Sequence, residues 1–350
     1  MIDENQIREK LGEVTYPGFS RDIVSFGLVK GIAVDGRDVT VKISVATRDP
    51  KIPDVIQSGI KSALDTIDGI GEITLDFDIK DPPAPEGSGA AGLAKASIPG
   101  IKKIIAVASG KGGVGKSTVA TNLAISLQKT GASVGLCDCD LYGPSIALML
   151  GVEGEQPMAT QENEIIPIEA HGIKSISMGN LLSEDSPVIV RGPLATRYVQ
   201  QFLRQTVWGE LDYLVLDLPP GTGDIQLTIV QTVAVDGAVI VTTPQEVALI
   251  DARKAVGMFQ KVNVPILGIV ENMAWFECEH GTKYPIFGEG GGRQEAERLG
   301  VPLLGQIPID PETGKRCDAG EPVAQLDPAE NAISSAFSDV AKSAIAEIPA

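Results

Sequence analysis

The chain has 350 residues, of which 43% are hydrophobic, and its formal net charge is −17. This length and composition predict a soluble globular protein with two domains. The acidity argues against nucleic acid as a partner, because phosphate neutralisation requires clustered Lys and Arg. The chain has no run of about 18 apolar residues, and residues 1–10 lack the basic start and apolar stretch of a secretory signal, so we expect a cytoplasmic protein that makes no membrane contact.

Residues 1–81 predict a small α/β domain. Alternating apolar residues within 26–47 favour a β-hairpin with Asp35-Gly36 at its turn. A helix is expected at about 53–67, and a third strand at 71–79.

Residues 82–100, PPAPEGSGAAGLAKASIPG, predict a flexible linker, because Pro, Gly, Ala and Ser bury little apolar surface. Across residues 101–350, short apolar runs alternate with amphipathic helical segments such as 116–130 and 246–261. This alternation predicts a doubly wound, mostly parallel sheet of α/β class that binds ligands beyond the carboxyl ends of its strands. The predicted strands are KKIIAVAS, ASVGLCDC, LDYLVLDL, GAVIVTT, PILGIVEN and VPLLGQIP.

The segment GKGGVGKS, residues 110–117, matches the phosphate-binding pattern G-x-x-x-x-G-K-S/T between a predicted strand and a predicted helix. Its glycines let backbone N–H groups surround phosphate oxygens, while Lys116 would contact the β- and γ-phosphates and Ser117 would bind Mg²⁺. The alternative is a glycine-rich turn without a ligand. The residues expected to bind ATP here are Gly110, Lys111, Gly112, Gly113, Val114, Gly115, Lys116, Ser117 and Thr118.

Three aspartates end two of the predicted strands. Asp217 follows LDYLVL and would hold Mg²⁺ through water. Asp138 and Asp140 end the neighbouring strand, within reach of a γ-phosphate and its attacking water, and we assign Asp140 to catalysis. For Asp138 and Asp140 the alternative is helix capping.

Lys111 is not required by the pattern, and its side chain is expected to point away from its own loop. KGGVGKS resembles the deviant phosphate-binding loop of the family that includes the nitrogenase iron protein, the MinD and ParA-type cell-division and chromosome-partition ATPases, and the Mrp-type iron–sulfur carriers. The resemblance implies a homodimer in which Lys111 stabilises phosphate charge in the partner subunit, as an arginine finger does. The alternative is a solvated loop lysine.

Further segments are similar to the Mrp (ApbC-type) carriers and cover residues 101 to about 325. They are CDLYGPSIALMLG, VIVRGPL, WGELDYLVLDLPPGTGD, PQEVALIDARKAVGMF, GIVENMAWF and FGEGGG. Residues 1–80 resemble the small domain that occurs alone in iron–sulfur assembly factors. The resemblance implies a slow ATPase that transfers iron–sulfur clusters to apoproteins and meets assembly factors, with Asn272, Pro308 and Asp310 around the adenine.

The family normally carries C-x-x-C after ENM, and two such pairs hold a four-iron cluster across the dimer. In this sequence Cys278 is followed by Glu279 and His280, so the second cysteine is missing. Two Cys278 and two His280 side chains at a two-fold axis could hold a two-iron cluster or Zn²⁺. The alternative is an ATP-dependent assembly scaffold that has lost its own cluster, with Cys278 an ordinary small apolar residue.

The other cysteines give weaker indications. Cys137 and Cys139 share one face of a predicted strand and are expected in the core, and Cys317 lies on a loop or short helix after the last strand. In the small domain, Asp49 stands where family members often have cysteine, which argues against a metal there.

A spatial-positioning ATPase of the MinD or ParA kind is a further alternative. Its membrane-binding members need a basic amphipathic tail, whereas the last twenty residues, 331–350, contain a single lysine.

Overall fold

The computed structural model describes residues 3–14, 22–24, 28–46, 51–67, 69–80, 97–162, 164–180 and 192–349. The chain divides into two compact units, Met1–Gly92 and Leu93–Ala350. The predicted linker lies mostly outside the described residues, as do Asp49 and most of the segment VIVRGPL.

The first unit is a three-stranded sheet with two helices, counted over its described residues. The antiparallel hairpin, the helix and the third strand agree with the sequence prediction, and Gly36 has a positive φ of 66° at the hairpin turn. The third strand pairs in parallel with the second. The elements are α1 (Glu4–Leu11), β1 (Val29–Asp35), β2 (Asp38–Ala46), α2 (Lys51–Leu64) and β3 (Ile73–Lys80).

Helix α1 was not predicted, although its start carries a recognisable signal. The side chain of Asp3 accepts a hydrogen bond of 2.8 Å from the backbone N–H of Gln6, which is the geometry of an N-cap. Ile7 of α1 and Ile60 of α2 are fully buried with Val41 of β2 in one apolar cluster. The two helices therefore form the core of this unit against the sheet.

In the second unit, the described residues form one nine-stranded sheet with helices on both faces. All six predicted strands are present, and β6, β7 and β11 are short additions. The strands are β4 (Ile101–Ala108), β5 (Val134–Asp138), β6 (Ile168–Ala170), β7 (Ile173–Ile176), β8 (Leu211–Asp217), β9 (Gly237–Thr242), β10 (Ile266–Glu277), β11 (Lys283–Tyr284) and β12 (Leu303–Ile309). The α-helices are α3 (Lys116–Gln128), α4 (Ile146–Met149), α5 (Gly192–Gln205), α6 (Asp224–Thr232), α7 (Glu246–Lys261), α8 (Gly291–Leu299), α9 (Pro311–Asp318) and α10 (Ala332–Glu347).

The strand order is β11-β10-β9-β4-β8-β5-β7-β6, and β12 also pairs with β10. Pairing is parallel except between β6 and β7 and between β10 and β11. On β4, Ile104 and Ala106 join one buried apolar cluster, whereas Ile105 and Val107 join the cluster on the opposite face. Because successive side chains point to opposite faces, this alternation confirms the predicted doubly wound sheet.

The central strands end together at one edge, where the predicted site residues gather. Asp138 at the end of β5 and Asp217 at the end of β8 are register partners, and the phosphate-loop segment follows β4 directly. No helix among the described residues is both long and apolar enough to cross a membrane.

Candidate functional site

The segment between β4 and α3 has the backbone geometry of a phosphate-binding loop. Gly113 and Gly115 both have φ of 81°, a conformation that L side chains rarely adopt. A Cβ atom on Gly115 would collide with the side-chain amide of Asn272, and one on Gly110 would collide with the backbone of Asp251. The loop therefore requires glycine both for its conformation and for the close approach of neighbouring chain segments.

A cavity of about 240 Å³ lies over this loop. Two of the residues expected to bind ATP, Gly110 and Val114, do not line this cavity. Val114 is 2% exposed and belongs to the core. Asp140 and Ser145 also line the cavity, so it joins the loop to the aspartate segment. Seven of the predicted ATP-binding residues line it, namely Lys111, Gly112, Gly113, Gly115, Lys116, Ser117 and Thr118.

The ammonium group of Lys116 lies in the interior between Ser117 and Asp217. It contacts Oδ1 of Asp217 and donates to the hydroxyl of Ser117 at 3.2 Å. The second carboxylate oxygen of Asp217 is buried and has no hydrogen-bond partner within the described residues. Hydroxyl and carboxylate oxygens are the ligands that Mg²⁺ prefers, so Ser117 and Asp217 fit the predicted metal role.

Asp138 and Asp140 have different surroundings. The carboxylate of Asp138 is fully buried and accepts hydrogen bonds from the hydroxyl of Ser177 at 2.8 Å and from the N–H groups of Ser145 and Ile146 at 3.2 and 3.3 Å. It therefore holds the start of α4, as the capping alternative proposed. Burial, and then the charge of Asp217, raise the pKa of Asp138.

Asp140, unlike Asp138, lines the phosphate cavity. Its carboxylate accepts a hydrogen bond of 3.3 Å from the N–H of Gly143. Burial raises the pKa of this carboxyl, and the charge of Lys116 partly opposes the increase. Of the two aspartates, Asp140 has the position of a group that can contact an attacking water.

A second cavity, of about 570 Å³, adjoins the first and shares Gly115, Thr118 and Met149 with it. It brings together Asn272, Pro308 and Asp310, the three residues expected around the adenine. The amide of Asn272 donates to the carbonyl of Val114 at 2.9 Å.

Asp310 also has a structural role. Its carboxylate caps α9, accepting from the N–H of Thr313 at 2.8 Å, and Pro311 follows at the start of that helix. Aspartate followed by proline is typical of a helix start, although the sequence analysis assigned Asp310 only to the adenine.

Several residues of the second cavity were missed by the sequence analysis. Met273, Ile286 and Phe287 line it from either side of the β10–β11 hairpin, and Cys317 lines it from α9. Met273 and Phe287 lie in the family-like segments GIVENMAWF and FGEGGG, but an apolar side chain carries no sequence signal for a ligand, so the cavity positions could be found only from the fold. Cys317 is 4% exposed and lies on a short helix, as expected, and burial raises the pKa of its thiol.

Lys111 lies at its own chain's phosphate cavity and is partly exposed. Its carbonyl accepts a hydrogen bond of 2.9 Å from the hydroxyl of Ser109. Within the described part of the chain, its ammonium group has no ion-pair partner. The expected direction of this side chain, toward a second subunit, stays a prediction.

Cys278 follows β10 at the turn of the hairpin with β11. Its N–H donates to the carbonyl of Thr282 at 3.0 Å, and its carbonyl accepts from the N–H of Gly281 at 2.9 Å. Hydrogen bonds from the backbone at His280 and Thr282 lower the pKa of the Cys278 thiol. His280 is exposed.

The cysteine hairpin does not form a complete metal site within one chain. Among the described residues, no group of three or more His, Cys, Asp or Glu side chains is arranged to hold a metal ion. Cys137 and Cys139 lie in the core with their sulfur atoms 3.8 Å apart and are fully buried, as predicted. The hydrogen bond to Cys137 and burial raise the pKa of Cys139 well above its ordinary value, which disfavours the thiolate needed for a metal.

Comparison with known proteins agrees with the division of the chain into two units. Residues 100–345 match the family of the NUBPL iron-transfer P-loop NTPase, and residues 4–75 match an iron–sulfur cluster assembly protein family. A protein of Deinococcus radiodurans named iron–sulfur cluster carrier protein is 44% identical over 339 residues, which are 97% of this chain and 93% of that protein. The protein of the same name from Haemophilus influenzae is 41% identical over 99% of this chain and 92% of its own length.

Solved structures show the same fold for the second unit. A nucleotide-binding protein of Archaeoglobus fulgidus in complex with ADP is 42% identical, with a TM-score of 0.57 over 63% of this chain and 87% of that one. The cell-division ATPase MinD of Pyrococcus furiosus is 25% identical, with a TM-score of 0.51 over 69% and 97% of the two chains. The resemblance inferred from the motifs is thus confirmed, and the chain belongs to the NUBPL iron-transfer P-loop NTPase family, with a match to the iron–sulfur cluster assembly protein family in its first unit.

Proposed function

We propose that this protein binds and hydrolyses ATP and carries an iron–sulfur cluster to apoproteins. The observation that carries the proposal is that Lys116, Ser117 and Asp140 line one cavity at the carboxyl edge of the sheet. The adjoining cavity, which Asn272 and Pro308 line, supports the proposal that the base binds there. The relatives named iron–sulfur cluster carrier proteins, which align with nearly the whole chain, support the cargo.

Hydrolysis would depend on charge placement around the terminal phosphate. Lys116 neutralises oxygens of the β- and γ-phosphates, while Lys111 of a second copy approaches the same group from outside. Asp140 accepts a hydrogen bond from the attacking water and orients it in line. Ser117, and Asp217 through water, would hold Mg²⁺, and the ion would supply further positive charge at the phosphates. Because the arrangement is complete only in a dimer, we expect slow ATP turnover that is limited by formation of the dimer.

The cargo site would also lie between two copies of the chain. Cys278 from each subunit supplies a thiolate, and His280 from each could complete four ligands for a two-iron cluster. The scaffold alternative, in which no cluster is held, is supported by the missing second cysteine after Cys278, because each chain then offers one hairpin thiolate in place of two. Location in the cytoplasm, with apoprotein clients and assembly factors as partners, is part of the carrier proposal.

Anaerobic reconstitution with iron and sulfide tests the proposal. Wild-type protein should acquire cluster absorption with matching iron and sulfide content, and Cys278→Ala should lose both. Cys317→Ala is the matched control, because it removes one thiol from a buried position outside the hairpin. His280→Ala should retain less cluster than wild type if the imidazole is a ligand. If wild type and Cys278→Ala hold the same small amount of iron, the carrier function is wrong and the scaffold function is favoured.

A further inference from the structure

The strand that leads to Cys278 is irregular where it passes the cavity assigned to the base, and an irregularity of this kind bends a strand. Asn272 is tied to the phosphate loop through its hydrogen bond to Val114. The next residue, Met273, has a positive φ of 55°, which is unusual for a residue with a side chain. The register of β10 against β12 shifts between Asn272 and Phe276. The direction of β10 beyond this point is therefore set at the cavity wall.

The side chain of Met273 approaches the phosphate loop. Its Cε atom lies 3.7 Å from the position that a Cβ atom on Gly115 would occupy. Met273 also lines the 570 Å³ cavity assigned to the base. A nucleotide in this cavity would therefore contact the strand at its bend.

The chain returns to the same cavity after the hairpin. Ile286 and Phe287, which follow β11, line it together with Met273. Ile286 is 57% exposed, so a bound base could cover apolar surface that water now contacts. Residues 274–285, which include Cys278, thus begin and end next to the cavity wall.

We propose that Met273 and Ile286 are positioning residues through which nucleotide occupancy fixes the hairpin segment 274–285 and its cysteine. The inference rests on the proposed nucleotide binding and adds a route from that site to the cargo cysteine. A ligand shifts a conformational equilibrium only as far as it binds one state better. Contacts at both ends of the segment supply that difference, because the base packs against both residues only when the hairpin is held in place.

The reactivity of Cys278 provides a direct measurement. Of the four cysteines, Cys137, Cys139 and Cys317 are between 0 and 4% exposed, whereas Cys278 is partly exposed. Alkylation of the native protein should therefore occur first at Cys278, which peptide mass spectrometry identifies. A Cys317→Ala background removes the cysteine that lines the cavity itself. ADP is used as the ligand because it lacks the γ-phosphate over which two chains are expected to pair. Dimer formation therefore does not contribute to the change in alkylation rate.

Saturating ADP should slow the alkylation of Cys278 by at least about threefold, because the thiol is only partly exposed while the segment is held in place and becomes fully accessible when the segment opens. Met273→Gly keeps the positive φ available, and Ile286→Ala removes the contact on the returning side. Calorimetry gives the dissociation constant of each variant for ADP, so that each can be measured at saturation. Each variant should then lose most of the ADP-dependent decrease in the alkylation rate of Cys278. Met158→Ala, at a residue that is 70% exposed and does not line the cavity, should retain it.

The two proposals fail in different ways. If calorimetry detects no ADP binding to the wild type, the proposed function is wrong and this inference falls with it. If ADP binds but the alkylation rate of Cys278 is unchanged or increased, the positioning role is wrong while nucleotide binding stands. Equal slowing in wild type, Met273→Gly and Ile286→Ala would also overturn it.

Discussion

Lys116 and Asp217 form an ion pair in the protein interior, where their side chains are 6% and 0% exposed. The pair connects the first residue of α3 to the last residue of β8. A buried carboxylate without its partner retains a charge that water cannot solvate. The pair therefore contributes both to the fold of the nucleotide unit and to the proposed chemistry.

Replacing Lys116 by Met should lower the free energy of unfolding by about 3–5 kcal/mol, because Asp217 keeps an uncompensated buried charge. The double variant Lys116→Met/Asp217→Asn should recover most of this loss, since neither side chain is then charged. Urea unfolding without nucleotide measures both. Lys102→Ala, which breaks an exposed ion pair with Asp212, is the control and should change little. A double variant as unstable as Lys116→Met would contradict the assignment.

Lys111→Ala should bind nucleotide with nearly wild-type affinity and lose most hydrolysis. The reason is that its ammonium group is expected to meet phosphate only in the partner subunit, during the chemical step. Calorimetry with ADP and a phosphate-release assay separate the two effects. Unchanged turnover in this variant would remove the argument for a dimeric site.

A mixing experiment distinguishes action in the partner from action within one chain. Lys111→Ala and Asp140→Ala should each be inactive alone. In a mixed dimer, one site combines an intact Asp140 with an intact Lys111 from the other subunit. Random pairing of equal amounts should therefore restore about a quarter of the wild-type rate. No restoration, with mixed dimers detected by native mass spectrometry, would indicate that Lys111 acts within its own chain.

Elements with a strong local signal could be predicted from the sequence. The six strands of the central sheet are apolar runs because helices cover both of their faces, and the phosphate loop has a fixed spacing. Strands β6, β7 and β11 have only 3, 4 and 2 residues and lie toward the sheet edges, where no apolar run is needed. Their existence depends on neighbouring strands and not on local composition.

The site was predictable to a similar extent. Lys116, Ser117 and Asp140 could be assigned because motif spacing places them at one edge of the sheet. The distinction between Asp138 and Asp140 required the structure, because two aspartates at this spacing have the same sequence signal. Met273 and Ile286 meet at one cavity only because the chain returns after the hairpin, and this is a tertiary relationship.

The rate of ATP hydrolysis should decrease below neutral pH as the carboxyl of Asp140 takes up a proton. Burial raises the pKa of this carboxyl, so it takes up a proton at a higher pH than an exposed aspartate does. The ionised carboxylate is a stronger hydrogen-bond acceptor for the attacking water than the neutral carboxyl group is, so the rate should decrease as the pH falls through the raised pKa. The midpoint of kcat at saturating ATP should lie above the ordinary value of about 3.9.

Asp140→Asn is the control for this profile and should be slow at every pH, with no acid limb. Asp138 also has a raised pKa, but its carboxylate is enclosed by Ser177 and the start of α4. An acid limb that persists in the residual activity of Asp140→Asn would therefore assign the titration to another group.

The glycines of the phosphate loop allow backbone strain and steric collision to be measured separately. An added Cβ meets nothing within 4 Å at Gly112 or Gly113, whereas at Gly115 it meets Asn272. Gly113 and Gly115 have positive φ, and Gly112 does not.

Without nucleotide, Gly112→Ala should leave the free energy of unfolding nearly unchanged, and Gly113→Ala should lower it by about 1–2 kcal/mol from strain alone. Gly115→Ala should lower it further, because the amide of Asn272 must also move from the carbonyl of Val114. Equal losses at Gly113 and Gly115 in urea unfolding would indicate that the contact between the loop and β10 contributes no stability.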